Sequence, residues 1–205
     1  MRKLFFTLFF LPNFILFAQQ PLTTAEATQF KAKTIEKNKS IKSIQADFQQ
    51  KKHLDFMSKD IETFGKMAFL KPDKLSWQYT KPYTYRIVFQ KDNIKINDEG
   101  KISQMKADNK IFKKISSLIV NSISGNMFDE KEFSVTLWKS NNKNFAKLNP
   151  KDKTLQKYIS EIHLFFSDDA TVESVKLIEP SNDYTEIIFT NKKINTQIDD
   201  SAFNI

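Results

Sequence analysis

The chain has 205 residues, enough for one domain of ordinary size and too few for two comfortable ones. It contains no Cys and only three Gly (Gly65, Gly100, Gly125), which excludes disulfide frameworks, thiol nucleophiles, Cys-ligated zinc and glycine-rich phosphate loops. The 32 basic residues outnumber the 24 acidic ones for a net charge of +8, yet only Arg2 and Arg86 are Arg, so the forked donors that nucleic-acid readers use are almost missing.

Residues 1–18 begin with Arg2 and Lys3 and continue as a short apolar run rich in Phe, broken at Pro12 and ending at Ala18. A basic start, a short apolar stretch and a small residue describe a secretory signal peptide, with cleavage expected after Ala18. The run is too short and too interrupted to make a comfortable membrane span. Loss of Arg2 and Lys3 lowers the net charge from +8 to +6. That surplus is Lys interleaved with Asp and Glu, a solvated surface or a weak attraction to anionic lipid or an acidic partner.

Thr23-Thr24-Ala25-Glu26 has the form of a capping box and predicts a helix over about 24–39. The period then changes to two, with Ile44, Ala46 and Phe48 alternating with Gln45, Asp47 and Gln49. Further alternating sets are Met67 with Phe69; Leu75, Trp77 and Tyr79; Tyr85, Ile87 and Phe89; Ile94 with Ile96; Phe133, Val135 and Leu137; Ile162, Leu164 and Phe166; Val175 with Leu177; and Thr185, Ile187 and Phe189. Turn signals such as Lys71-Pro72-Asp73, Lys81-Pro82, Asp98-Glu99-Gly100 and Ser167-Asp168-Asp169 separate them, for about eleven strands. Ile111, Ile115, Leu118, Ile119 and Val120 break the pattern at helical spacing and predict a short inserted amphipathic helix.

Strands apolar on one face, in this number, predict a single strongly curved antiparallel sheet close to a barrel, mainly β with α. The two helices either plug its interior as core or cover a cavity. Pattern alone leaves both open, because inward aromatic side chains suit an apolar chamber and a dry core equally.

Catalytic devices are sparse. No G-x-S-x-G or H-E-x-x-H occurs, and the only two His are His53 in a strand end and His163, whose place between Ile162 and Leu164 predicts a solvent-facing side chain. Asp168-Asp169 reads as a turn, and Asp129, Glu130 and Glu132 as a solvated loop. The expectation is therefore a protein that is no enzyme, with no cofactor, no metal site and no nucleic-acid partner.

Phe48-Gln49-Gln50-Lys51, then Gly65 through Lys71-Pro72-Asp73-Lys74-Leu75-Ser76-Trp77-Gln78-Tyr79 and Lys81-Pro82, and finally Asp200-Ser201-Ala202-Phe203-Asn204-Ile205, resemble the LolA family of periplasmic outer-membrane lipoprotein carriers. The likeness covers residues 19–205, read as one carrier domain. It implies an unclosed β-barrel with an N-terminal helix and an inserted lid helix over an apolar cavity. Phe48, Met67, Phe69, Leu75, Trp77, Tyr79, Ile87 and Phe89 are the residues expected to face acyl chains. Ile111, Ile115, Leu118 and Ile119 would belong to the lid. The basic residue before Pro, often Arg in the family and a holder of the lid, is Lys71 here, which lacks the rigid fork and predicts a weaker or differently built latch.

The implied partners are acylated lipoproteins as cargo, an inner-membrane lipoprotein-releasing ABC transporter, and an outer-membrane acceptor of unknown identity, with the carrier itself a periplasmic monomer. Competing readings are a carrier or sensor of another envelope lipid on the same fold, an envelope esterase, and a structural β module with a dry interior.

Overall fold

The computed structural model describes residues 19–90, 93–106, 128–141 and 143–205. Helix α1 (Thr24–Ser40) starts where the capping box predicts: the Glu26 N–H donates to Thr23 Oγ1 at 3.3 Å, and the Thr23 N–H donates to Glu26 Oε2 at 2.9 Å. The helix stops at Ile41, whose backbone is extended and whose N–H donates back to the Asn38 carbonyl.

One side of the sheet is a meander of neighbouring hairpins: β2 (Ser43–His53), β3 (Ile61–Leu70), β4 (Lys74–Lys81), β5 (Tyr85–Gln90), β6 (Asn93–Asp98) and β7 (Lys101–Lys106). The other side is β8 (Phe133–Ser140), β9 (Lys143–Pro150), β10 (Glu161–Phe166), β11 (Val172–Ile178) and β12 (Tyr184–Ile194). The halves join where β12 pairs antiparallel with β2, placing Phe189 opposite Phe48. A two-residue strand, β1 (Gln20–Pro21), adds to β8. Among the described residues the sheet has 12 strands, with β1 and β7 as its two edges, and it does not close into a barrel. The strand beyond the expected eleven includes β1, which is too short to leave a period.

Period two puts one set of side chains inward. Cross-strand neighbours Ala46, Met67 and Trp77 share that face, as do Ile44, Phe69 and Leu75. On the far half, Ile162, Leu164, Phe166, Ile187 and Phe189 join the same buried cluster. Helix α1 packs over it through Phe30, whose ring meets Phe166 edge-on at 5.0 Å. The underside of α1 is otherwise polar: Thr34 and Asn38 are buried with Phe30, while Ile35 is exposed.

The outer face is covered in two places. The 3-10 turn Asp200–Phe203 lies against β4 and β5, burying Phe203. Over β8–β10, Phe145 stacks against Phe165 at 5.2 Å and lies near Trp138, with Lys147 above the Trp138 ring at 4.7 Å. This cover corrects the expectation for His163. It points outward, but its side chain is only 14% exposed, beside Phe145 and Phe165 and hydrogen-bonded to Glu161. Alternation identifies the face but does not show that neighbouring strands have roofed it with aromatic rings.

Candidate functional site: the inner face of β2–β5

The segments Phe48–Lys51, Gly65–Phe69 and Leu75–Tyr79 lie on adjacent strands and meet on one face. Gly65 sits opposite Phe48 and Tyr79 in the register. The missing side chain is what lets the Phe48 ring lie flat there: a Cβ on Gly65 would be 2.2 Å from Phe48 Cζ and 2.2 Å from the Gln78 carbonyl oxygen. With that space, Phe48 stacks on Trp77 at 4.1 Å and meets Tyr79 edge-on at 5.4 Å, and Trp77 meets Phe189 edge-on at 6.1 Å. The Tyr79 hydroxyl donates to Gln50 Oε1 at 3.0 Å, and burial pushes its pKa above the usual tyrosine value, making it a weaker acid. Gln50 thus gives a buried phenol its partner, a role that the sequence motif quoted without explaining.

Of the residues expected to face acyl chains, Phe48, Met67, Phe69, Leu75 and Trp77 are buried, and Tyr79, Ile87 and Phe89 are half-buried. All eight lie on the inner face by register. Ile111, Ile115, Leu118 and Ile119 lie outside the described residues.

Lys71 ties the β3–β4 turn to the helix. Its Nζ donates to the Asn38 carbonyl at 2.9 Å, and its own N–H donates to the Lys42 carbonyl at 2.9 Å. A cation at a helix C-terminus also meets the negative end of the helix dipole. A Lys is sufficient for this geometry, since one carbonyl needs one donor.

Besides the Phe30–Phe166 contact, the other attachments of α1 are polar. Lys31 pairs with Glu130 at 2.7 Å, Lys37 with Asp169 at 3.5 Å, and Lys33 Nζ donates to the Asp168 carbonyl. Asp169 is the organiser of that turn. Burial would raise its pKa, but hydrogen bonds from the Ser167 and Thr171 hydroxyls and the Thr171 N–H, with the Lys192 charge, hold it well below the usual carboxylate range. Lys192 Nζ donates to Thr171 Oγ1 at 2.7 Å and to the Val172 carbonyl at 3.1 Å. Beneath α1, Thr34 Oγ1 and Asn38 Nδ2 are buried with no hydrogen-bond partner among the described residues.

Two hollows flank the helix. One of about 450 Å³ lies between its first turns, the β8–β9 tip and the β10–β11 turn, with Phe30 and Phe166 as floor and Lys33, Lys139 and Lys143 at its rim. The second, about 20 Å³, lies between the end of α1 and the sheet, bordered by Asn38, Ile44, Met67, Phe189 and Lys192. Met67 borders the second hollow, and no expected acyl-facing residue borders the first.

The two His have structural partners. His53 Nδ1 is 2.8 Å from Asp60 Oδ1, and its ring stacks on Tyr184 at 4.7 Å. Burial lowers the pKa of His163 despite the Glu161 carboxylate beside it. Among the described residues, no cluster of three His, Asp or Glu could hold a metal ion.

Arg86 was not singled out from sequence. Its Nε donates to Ser76 Oγ at 3.2 Å, and its Nη2 donates to the Ser201 carbonyl at 3.1 Å and to the Ala202 carbonyl. It clamps the terminal turn onto the back of the motif strands. The one available signal was its being the single Arg after residue 2.

A family model described as outer membrane lipoprotein carrier protein LolA matches residues 39–205. An outer-membrane lipoprotein carrier protein of Francisella tularensis subsp. tularensis (strain WY96-3418) is 28% identical over 187 residues, covering 88% of this chain and 83% of its own. The protein of that name from Francisella philomiragia is 29% identical over 179 residues, covering 83% and 80%. Among solved structures, a putative outer membrane lipoprotein-sorting protein domain from Vibrio parahaemolyticus superposes with a TM-score of 0.50 at 9% identity, over 88% of this chain and 97% of that one, a likeness of fold.

Proposed function

Because the chain belongs to the outer membrane lipoprotein carrier protein LolA family, we propose that it is a non-catalytic periplasmic carrier. In this reading it shields the acyl chains of lipoproteins between an inner-membrane releasing transporter and an outer-membrane acceptor. Residues 1–18 serve as the export signal, and residues 19–205 as the carrier domain.

The observation that carries the reading is a large apolar sheet face roofed by a helix whose buried side holds one large apolar side chain, Phe30, and is otherwise polar at Thr34 and Asn38. A 16-carbon chain leaving water gains about 12 kcal/mol, at roughly 0.8 kcal/mol per CH₂. A carrier must match much of that and still release. The inner face of β2–β5, with Phe48, Met67, Phe69, Leu75, Trp77, Tyr79, Ile87 and Phe89, is the proposed acyl contact. Its side chains are already packed, so room comes from displacing α1.

Three features make that displacement inexpensive. The ion pairs Lys31–Glu130 and Lys37–Asp169 are at the surface, where solvent and salt screen them and they hold the helix weakly. Thr34 Oγ1 and Asn38 Nδ2 gain partners when the helix lifts. Finally, Lys71 holds only the last turn, so the helix can swing about that end. Cargo then shifts a two-state equilibrium toward the open form.

Native mass spectrometry of the chain purified from its own envelope tests this. Acylated polypeptide is expected to co-purify, and to be lost when Trp77→Glu and Phe69→Glu are combined. Co-purified free lipid without polypeptide would favour a carrier or sensor of another lipid. An empty chain that also ignores a fluorescent fatty-acid probe would refute both.

A further inference from the structure

Large apolar side chains are exposed mostly at one end of the sheet. Phe56 is 83% exposed and Ile102 62% exposed, and Met57, Ile61, Phe64 and Tyr83 are also exposed. They belong to three neighbouring places: the β2–β3 turn with the start of β3, the β4–β5 turn, and the start of β7. Antiparallel pairing puts all three at the same end, opposite the Lys71–Asn38 contact. Both hollows described above lie away from this end, so these side chains do not line either one.

From this we infer that the end of the sheet bearing Phe56, Tyr83 and Ile102 docks on the interfacial zone of a lipid bilayer. The apolar residues stand on separate turns, with charged residues between them, and line neither hollow. A fluid interface takes up such isolated points, whereas a protein partner needs a continuous complementary patch. Tyr favours the headgroup level and Phe the acyl boundary beneath it, and a Lys beside each apolar point can keep its stem in lipid and its charge in water. Lys59, Lys81 and Lys101 stand in that relation to Met57, Tyr83 and Ile102 and form no ion pair among the described residues. Asp55, Asp60, Asp98 and Glu99 share this end and slightly outnumber those three Lys, so its local charge does not itself favour an anionic surface. The chain-wide surplus of +8, or +6 without Arg2 and Lys3, therefore supplies the long-range attraction to an anionic leaflet, and the apolar tips supply the hold. The inference rests on this surface alone and does not require lipoprotein cargo.

The absence of Cys allows a clean test, because one introduced thiol takes one label. The chain starting at Gln19 contains every described element and lacks the apolar leader. Ser58→Cys places an environment-sensitive fluorophore beside Phe56, and Asn141→Cys places it in the β8–β9 turn at the opposite end. On adding vesicles of phosphatidylethanolamine and phosphatidylglycerol, the label at 58 is expected to brighten and shift blue while the label at 141 stays unchanged. In flotation with the same vesicles, Phe56→Ser is expected to lower the bound fraction about tenfold, the low end of what burying one Phe contributes. Since Phe56 is so exposed, its truncation leaves no cavity, and an unchanged melting curve verifies the fold. Equal responses at both labels, or flotation indifferent to Phe56→Ser, would overturn the inference. So would a change at 58 that depends on protein concentration without vesicles, which marks a protein contact instead.

Discussion

Gly65→Ala is the substitution on which the reading of the motif turns. Backbone entropy alone favours Ala over Gly in a strand by about 0.5–1 kcal/mol, so a site with room would be stabilised. Here the new methyl would meet a backbone oxygen and an aromatic ring, each at 2.2 Å. The oxygen belongs to the β3–β4 ladder, and the ring is Phe48, buried and stacked on Trp77, so neither yields easily. Overpacking of this kind costs about 1–3 kcal/mol. Displacing Phe48 also forfeits its stack, a further 0.5–1.5 kcal/mol or about that. Less the entropy gain, the expected loss is about 0.5–4 kcal/mol, or roughly 2–15 °C in melting temperature for a chain of this size. Urea denaturation followed by Trp fluorescence and by circular dichroism measures it. Phe48→Leu is expected to relieve part of the loss, giving a coupling of about 1 kcal/mol or more in a double-mutant cycle. A Gly65→Ala protein as stable as the parent, or more stable, would refute the close approach and the account of the motif built on it.

Lys71→Met removes the bond to the Asn38 carbonyl and a favourable helix-end charge; a loss of about 1 kcal/mol is expected, with faster amide exchange confined to the last turn of α1. Arg86→Ala frees the terminal 3-10 turn. A carboxypeptidase should then trim past Phe203, stability should fall by about 2–3 kcal/mol, and Arg86→Lys should rescue little because one ammonium cannot span three acceptors. Asp169 has its folded pKa held below the unfolded value, so its contribution is fully present above about pH 4 and is lost as pH falls through the lower folded value. Asp169→Asn should flatten the acid side of the stability–pH curve, and an unchanged slope would refute the role given to the Ser167–Thr171 cradle.

Much of the inner face was legible because its signal is local. Each strand from β2 to β5 carries large apolar residues two apart, and the capping box at Thr23 needs only four residues. The motif residues were also visible, although their reasons were not: the Gly65–Phe48 fit and the Gln50–Tyr79 bond join positions that only strand pairing brings together. The underside of α1 was harder to read. The capping box marks where the helix starts but not which side is buried, and the buried residues are Phe30, Thr34 and Asn38. His163 misled because period two reports which face a side chain takes, and the outer face of β8–β10 has its own aromatic cover. Arg86 and Asp169 act through contacts far along the chain or through turn geometry, and neither leaves a periodic trace.

The pairing of β12 with β2 has a consequence for how the molecule is made. The middle of the sheet is a join between early and late parts of the polypeptide, with Phe48 waiting for Phe189. A nascent chain that has reached only β11 has both flanks of the join unpaired, so the early meander exposes the backbone of β2 along its length. Closing that join is expected to be slow, because distant segments must find each other. A polypeptide built this way keeps its two halves separable until β12 has been made.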